Sequence, residues 1–238
     1  MPARPPVAPR PRRPTAERGS YPPVTIAPSA PAEPVSVPPA ADQAGTALLR
    51  TLTDLTADLP ATDPGRVAAA ALRGRHPGSD AAELRGLATE AAAGLIGDEP
   101  EYSRLAARLL TRAIADEAAG QGVESFTASI AVGHREGLIA DTTAEFVRIH
   151  AARLDALIDT GRDDRFGYFG LRTVHSRYLL RHPTTRQVTE TAQHFFLRVA
   201  CGLAEDTSTR ALAEVEALYG LMSRLDYLPS SPTLFLPL

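Results

Sequence analysis

The chain has 238 residues, 44% hydrophobic and 22% charged, with a formal net charge of −3. That size supports one substantial domain plus a tail, and the charge disfavours non-specific nucleic-acid binding. A single cysteine excludes an internal disulfide and fits a cytoplasmic protein. No apolar run reaches membrane-span length, and the N-terminal arginines precede no apolar core of a secretory signal. Trp is absent and aromatics are only 5%, so Ala, Leu, Val and Ile must build the core, which favours helix. All 25 basic residues are arginine, so no lysine ammonium can serve a phosphate or a Schiff base.

Residues 1–43 hold 13 of the 21 prolines and almost no large apolar side chains. They read as a disordered tail with polyproline II character. Leu48, Leu49, Leu52, Leu55 and Leu59 then recur at helical spacing over 44–59. Asp63-Pro64 pairs an N-cap with a proline at the first helical position. That helix ends near Gly74, and His76-Pro77-Gly78 is a turn. Asp80 with Glu83 forms a capping box for a helix over 81–96. The next helix carries Tyr102, Leu105, Leu109, Leu110 and Ile114 on its apolar side. Glycines break residues 120–140 into shorter pieces. A longer helix is expected over Thr142 to Ile158, with Phe146, Ile149, Leu154 and Leu157 inward.

Residues 166–180 read as an aromatic helix. His182 to Thr189 is a turn with a small hairpin around Thr185-Arg186. An apolar helix over 190–204 follows, then one capped by Asp206 or Ser208 that runs to about Arg224. Tyr227 to Phe235 contains two prolines and two serines and is expected to turn into a strand.

Within this stretch stand Phe166-Gly167-Tyr168-Phe169-Gly170 and Tyr178-Leu179-Leu180-Arg181. Gln193-His194, Arg198-Val199-Ala200 and Gly202-Leu203 follow. The series ends with Leu218-Tyr219-Gly220-Leu221-Met222-Ser223 and Ser231-Pro232-Thr233-Leu234-Phe235. In this order the blocks resemble the large (α) subunit of class I ribonucleotide reductases, and Tyr102 to Leu109 extends the likeness upstream. The resemblance implies a mainly α chain: the N-terminal helical domain of that subunit, with the Pro-rich tail and the first strand of an α/β barrel that does not follow. The implied organisation is a tail over 1–43, a degenerate ATP-cone-like segment over 44–118, the helical domain over 119–225 and the start of a truncated barrel over 226–238.

In the family, ribonucleoside diphosphates are reduced to deoxyribonucleotides for DNA synthesis. The chemistry uses a thiyl-forming cysteine and a reducing pair of cysteines, and this chain has one cysteine. The resemblance therefore implies a chain without catalytic residues, inactive alone. It implies nucleotide effectors (ATP or dNTP), a dimetal-radical β subunit and an α dimer partner. By the same resemblance Ser231 lines the substrate diphosphate and ribose. A different class of role is a non-catalytic helical module that binds reductase subunits.

The remaining candidates read as structural. Cys201 lies in an apolar helix and is expected in the core. His194 has no metal-ligand spacing and suits capping or packing. His175 and His182 sit where a partly positive imidazole would suit a helix end. Asp155, Asp159, Asp163 and Asp164 lack the pattern of a calcium loop and read as a solvated helix end. Ser79 is explained by the cap at Asp80.

Overall fold

The computed structural model describes residues 39–235. Most of the expected Pro-rich tail, and Leu236-Pro237-Leu238, lie outside the described residues. The described residues form eleven α-helices and one 3-10 helix. The helices are α1 Pro39–Leu55, α2 Pro64–Arg73, α3 Ala81–Gly94, α4 Tyr102–Gly120, α5 Phe126–Arg135, α6 Asp141–Ile149 and α7 Ala151–Asp155. After the 3-10 turn Thr160–Arg165 come α8 Tyr168–Arg177, α9 Ala192–Gly202, α10 Thr209–Ser223 and α11 Ser231–Phe235. The mainly α architecture agrees with the expectation from composition. The one sheet-like pairing among the described residues is the antiparallel bridge Arg181–Val188.

Local chemistry explains most helix starts. Asp63 Oδ1 accepts from Gly65 N and Arg66 N at 2.8 and 3.2 Å, satisfying two orphan donors of α2. Asp80 Oδ1 accepts from Glu83 N at 2.8 Å and Ser208 Oγ from Ala211 N at 3.1 Å. Ser125 and Thr191 cap α5 and α9 in the same way, which the sequence reading did not anticipate. Gly122 and Gly137, at φ 78° and 72°, make the turns on either side of α5 in a region that L side chains rarely adopt.

α4 is the spine of the fold: α3 packs on it, and so does α8. Tyr102, Leu105, Ala106, Leu109, Leu110 and Ile114 are all buried. Ala106, with Ala107 and Ala118 on the same helix, lets neighbouring helices approach closely. One contiguous core runs from Leu48, Leu52 and Leu55 of α1 through α4 to Phe195, Phe196 and Leu197 of α9, and on to Leu234.

Three expectations are corrected. The first helix begins at Pro39 rather than after the tail, since proline is tolerated in a helix's first turn. The helix expected over Thr142 to Ile158 is two helices broken at His150. There the imidazole Nε2 lies 2.9 Å from the Thr207 carbonyl and the ring packs on Phe146, so tertiary contacts interrupt the repeat. Ile149 is consequently exposed, while Phe146 and Leu154 are buried as expected. The strand expected over Tyr227 to Phe235 is also absent: Ser231–Phe235 is one helical turn. Pro232 cannot donate to a strand ladder but suits a first helical turn, and Leu234 anchors the turn in the core.

Candidate functional site

The residues from α8 to α11 are joined by buried polar groups around α9. Every α9 residue from Ala192 to Cys201 is buried, including Gln193, His194 and Arg198. A guanidinium in that position needs a counter-charge, because an unpaired buried ion is very costly. Glu190 supplies it. Arg198 Nε donates to Glu190 Oε2 at 2.8 Å and Nη2 to Oε1 at 3.0 Å, a bidentate pair with side chains 1% and 0% exposed. Glu190 Oε1 also accepts from Leu180 N at 2.7 Å, and Arg198 Nη2 donates to the Tyr178 carbonyl at 3.4 Å. The pair thus fixes the backbone where α8 ends and the 181–188 turn begins.

A second network uses Gln193. Its Nε2 donates to Asp163 Oδ1 at 2.7 Å, and its Oε1 accepts from Tyr219 OH at 3.1 Å. The Tyr219 oxygen in turn accepts from Asp159 N at 3.3 Å. Burial, with Asp164 and Asp159 nearby, pushes the Asp163 carboxyl up to about 6, against the hydrogen bond from Gln193.

The four aspartates therefore do not form a merely solvated helix end. Asp155 accepts from Thr127 N and Oγ1 at 2.9 and 2.7 Å, Asp159 caps the 3-10 turn and Asp163 is tied to α9. Asp164, with Asp58, clamps Arg108. The Arg108 hydrogen bond holds the Asp58 carboxyl low, at about 2. Among the described residues no group of three or more His, Cys, Asp or Glu could hold a metal ion.

The histidine expectations divide. Arg181 Nη2 lies 3.1 Å from His175 Nε2 and 2.9 Å from the His175 carbonyl. A guanidinium can only donate, so that ring nitrogen accepts and His175 is neutral, not partly positive. Burial, then the Arg181 charge, lowers its pKa. His182 Nδ1 accepts from Thr184 N and Thr185 N, organising the turn. His194 packs edge-on to Phe126 as expected of a packing residue, and burial lowers it to about 4. Its Nδ1 is buried without a protein partner. Cys201 is 2% exposed, and burial raises its thiol far above the range for a reactive thiolate.

Ser231 is exposed, and its Oγ lies 3.1 Å from Tyr178 OH. The Tyr178 ring lies nearly parallel to Phe195, with centroids 5.9 Å apart and 23° between planes. The sequence reading quoted Tyr178, Glu190, Gln193 and Arg198 at most as parts of blocks and gave them no role. The available signal was an arginine inside FFLRVA, which demands a carboxylate within reach.

Grooves elsewhere among the described residues include three away from the networks. One of about 570 Å³ runs between α5 and α6 along Ile130, Ala131, Ala144 and Val147. Another, of about 400 Å³, is lined by Asp141, Glu145, Glu205 and Asp206, which repel a phosphate. The third, of about 290 Å³, lies between α1 and α3 along Ala44, Ala47, Leu48, Ser79 and Asp80. Among its described residues Ser79 Oγ accepts from His76 N, Asp80 caps α3 and Arg85 is paired with Asp116, leaving Arg112 and Thr51 beside apolar side chains, little for a triphosphate.

Residues 164–236 match the family described as ribonucleotide reductase, all-alpha domain. Over these residues the chain belongs to the ribonucleotide reductase all-alpha domain family. It is 32% identical over 177 residues to a ribonucleoside-diphosphate reductase large subunit of Plasmodium falciparum (isolate Dd2), covering 73% of this chain and 21% of that one. The large subunit of Arabidopsis thaliana is 35% identical over 182 residues, again 73% and 21%. That of Caenorhabditis elegans is 31% identical over 180 residues, covering 73% and 22%. The chain thus spans about a fifth of the length of these relatives. The match contains α8 to α11, the Arg198–Glu190 pair, the Gln193–Tyr219 bond and the Tyr178–Ser231 contact, while Asp159 and Asp163 lie just before it. No helix among the described residues is long and apolar enough to cross a membrane.

Proposed function

We propose that the chain serves ribonucleoside diphosphate reduction as the N-terminal helical part of a large subunit, and that Ser231 binds a phosphate of the diphosphate substrate. The observation that carries this reading is the place of Ser231: inside the family match, exposed, with its hydroxyl beside that of Tyr178. A serine hydroxyl can donate to a phosphate oxygen. The single cysteine is buried, so these residues contribute binding and scaffolding rather than thiol chemistry.

In this reading residues 44–118 are a cone-like scaffold, 119–225 the helical domain and 226–238 the approach to a barrel. The dimetal-radical β subunit and a second α subunit are the partners, in the cytoplasm. The ATP or dNTP effectors of the family act elsewhere than the α1–α3 groove. Calorimetric titration of cytidine diphosphate into the full chain tests the reading. Ser231→Ala should weaken binding about tenfold, the effect of one charge-assisted hydrogen bond; unchanged affinity would refute the serine's role.

A non-catalytic module that binds reductase subunits is the second reading, favoured by the exposure of Phe169, Tyr227 and Leu228. Sedimentation with separate α and β subunits distinguishes it: subunit binding without diphosphate binding favours the module.

A further inference from the structure

We infer that Tyr178 is a positioning residue that sets the direction of the Ser231 hydroxyl toward a substrate phosphate; this rests on the reading of Ser231 as a diphosphate ligand. Tyr178 is held from several sides. Its amide donates to the Val174 carbonyl at 2.9 Å, closing α8. Its carbonyl accepts from Arg198, which is itself fixed by Glu190. Its ring lies along Phe195, and the next residue, Leu179, is buried. Two residues on, Leu180 N is bound to Glu190. The phenol oxygen therefore has a defined place at the end of a rigid path.

Ser231 lacks that support in its own segment. It follows the irregular stretch 226–230, where Tyr227 and Leu228 are half exposed. Leu234, one turn later, is the buried anchor, and the 3.1 Å contact to Tyr178 is the polar one.

The direction of that contact follows from donor strength. A phenol is the better donor and an aliphatic hydroxyl oxygen the better acceptor. Either hydroxyl can donate in this contact, and with the more acidic phenol as donor Ser231 Oγ accepts. The Ser231 hydrogen is then turned away from the ring, outward to an acceptor. A phosphate oxygen completes the chain phenol to serine to phosphate, in which each hydrogen bond polarises the next. Such a device prefers a ribonucleoside diphosphate over the bare nucleoside without touching base or sugar.

The test uses the full chain, with cytidine diphosphate and cytidine as probes in calorimetric titration. Tyr178→Phe keeps the ring on Phe195 and removes only the donor. It should cut the preference for the diphosphate over cytidine about fivefold while leaving cytidine binding unchanged. Ser231→Ala should remove the preference, and adding Tyr178→Phe to it should change nothing further. Hydrogen exchange at the Thr233 amide, bonded to the Ser230 carbonyl at 3.0 Å, should quicken in Tyr178→Phe because the turn loses its polar anchor. If Tyr178→Phe keeps the wild-type preference while Ser231→Ala loses it, the positioning role is overturned and the serine reading stands. If the wild type shows no preference, or Ser231→Ala keeps it, the serine reading fails. In that case unchanged Thr233 exchange in Tyr178→Phe overturns the positioning role as well.

Discussion

The helices α1 to α4 and the helices α8 to α10 solve the same packing problem differently. In the first region the interior is mostly leucine and alanine, the buried hydroxyls of Thr56 and Thr89 bond to carbonyls of their own segment, and charged groups stay toward the rim in ion pairs such as Arg66–Asp98. In the second, the interior holds an ion pair, a glutamine relay and a histidine. Apolar burial is non-directional, so the first region depends on volume and tolerates volume-conserving swaps. Buried polar groups must be met at one geometry or be costly, so the second region has its backbone specified atom by atom. That region carries Tyr178, whose hydroxyl lies 3.1 Å from Ser231 Oγ.

The largest expected effect tests this contrast directly. Arg198→Met leaves Glu190 charged and buried without its partner, and should cost about 3–5 kcal/mol in urea-induced unfolding. Adding Glu190→Gln removes the stranded charge while keeping an acceptor for Leu180 N, and should recover part of the loss. A cost below about 1 kcal/mol for Arg198→Met would erase the distinction between the two regions.

In the first region, Leu105→Ala should cost about 3 kcal/mol, the ordinary cost of a core cavity, since Leu105 is fully buried. Leu105→Met should cost less than about 1.5 kcal/mol, because volume rather than geometry is what that site requires. A larger cost for the methionine would mean the apolar core is as closely specified as the polar one.

The smallest effect is a pH dependence confined to the second region. His194 has its folded pKa lowered to about 4 by burial, from an ordinary 6.5. Its contribution is intact above pH 6.5 and is lost as pH falls toward 4, because the unfolded chain takes up the proton more readily. Asp163 runs the opposite way. Its folded pKa is raised to about 6 from 3.8, so its contribution is intact below pH 3.8 and is lost as pH rises through 6. The two oppose each other between pH 4 and 6.5 and nearly cancel, leaving a net change of about 0.4 kcal/mol from the pair. His194→Leu should shift the slope toward the carboxyl's direction, so that stability gains less, or falls, as pH rises through that window, against the remaining pull of His175. Asp163→Asn should shift it the other way, with stability falling more steeply as pH drops. Thermal melts between pH 4 and 7 check both, and a variant whose slope keeps the wild-type sign and size would show that its residue does not set it.

Much of this was legible before folding. The caps at Asp63, Asp80 and Ser208 and the buried leucines of α1 and α4 follow from local chemistry and a 3.6-residue repeat. So do the core placement of Cys201 and the family to which the α8–α11 blocks point. The break at His150 was not legible, because its cause is a carbonyl 57 residues away. Nor was the helical turn at Ser231, because alternation and prolines alone did not reveal that Leu234 would find the core. The neutrality of His175 depends on Arg181 reaching back to its ring.

The sequence by itself determined the helical class and the capped helix starts at Asp63 and Asp80, since these rest on side chains within a few residues of one another. Only the tertiary structure decided that Tyr178 would stand beside Ser231, 53 residues on, with Arg198 and Glu190 fixing its backbone. Local patterns fix which face of a helix is apolar. They do not fix which buried polar group meets which, because that depends on the mutual placement of several packed helices at hydrogen-bond precision.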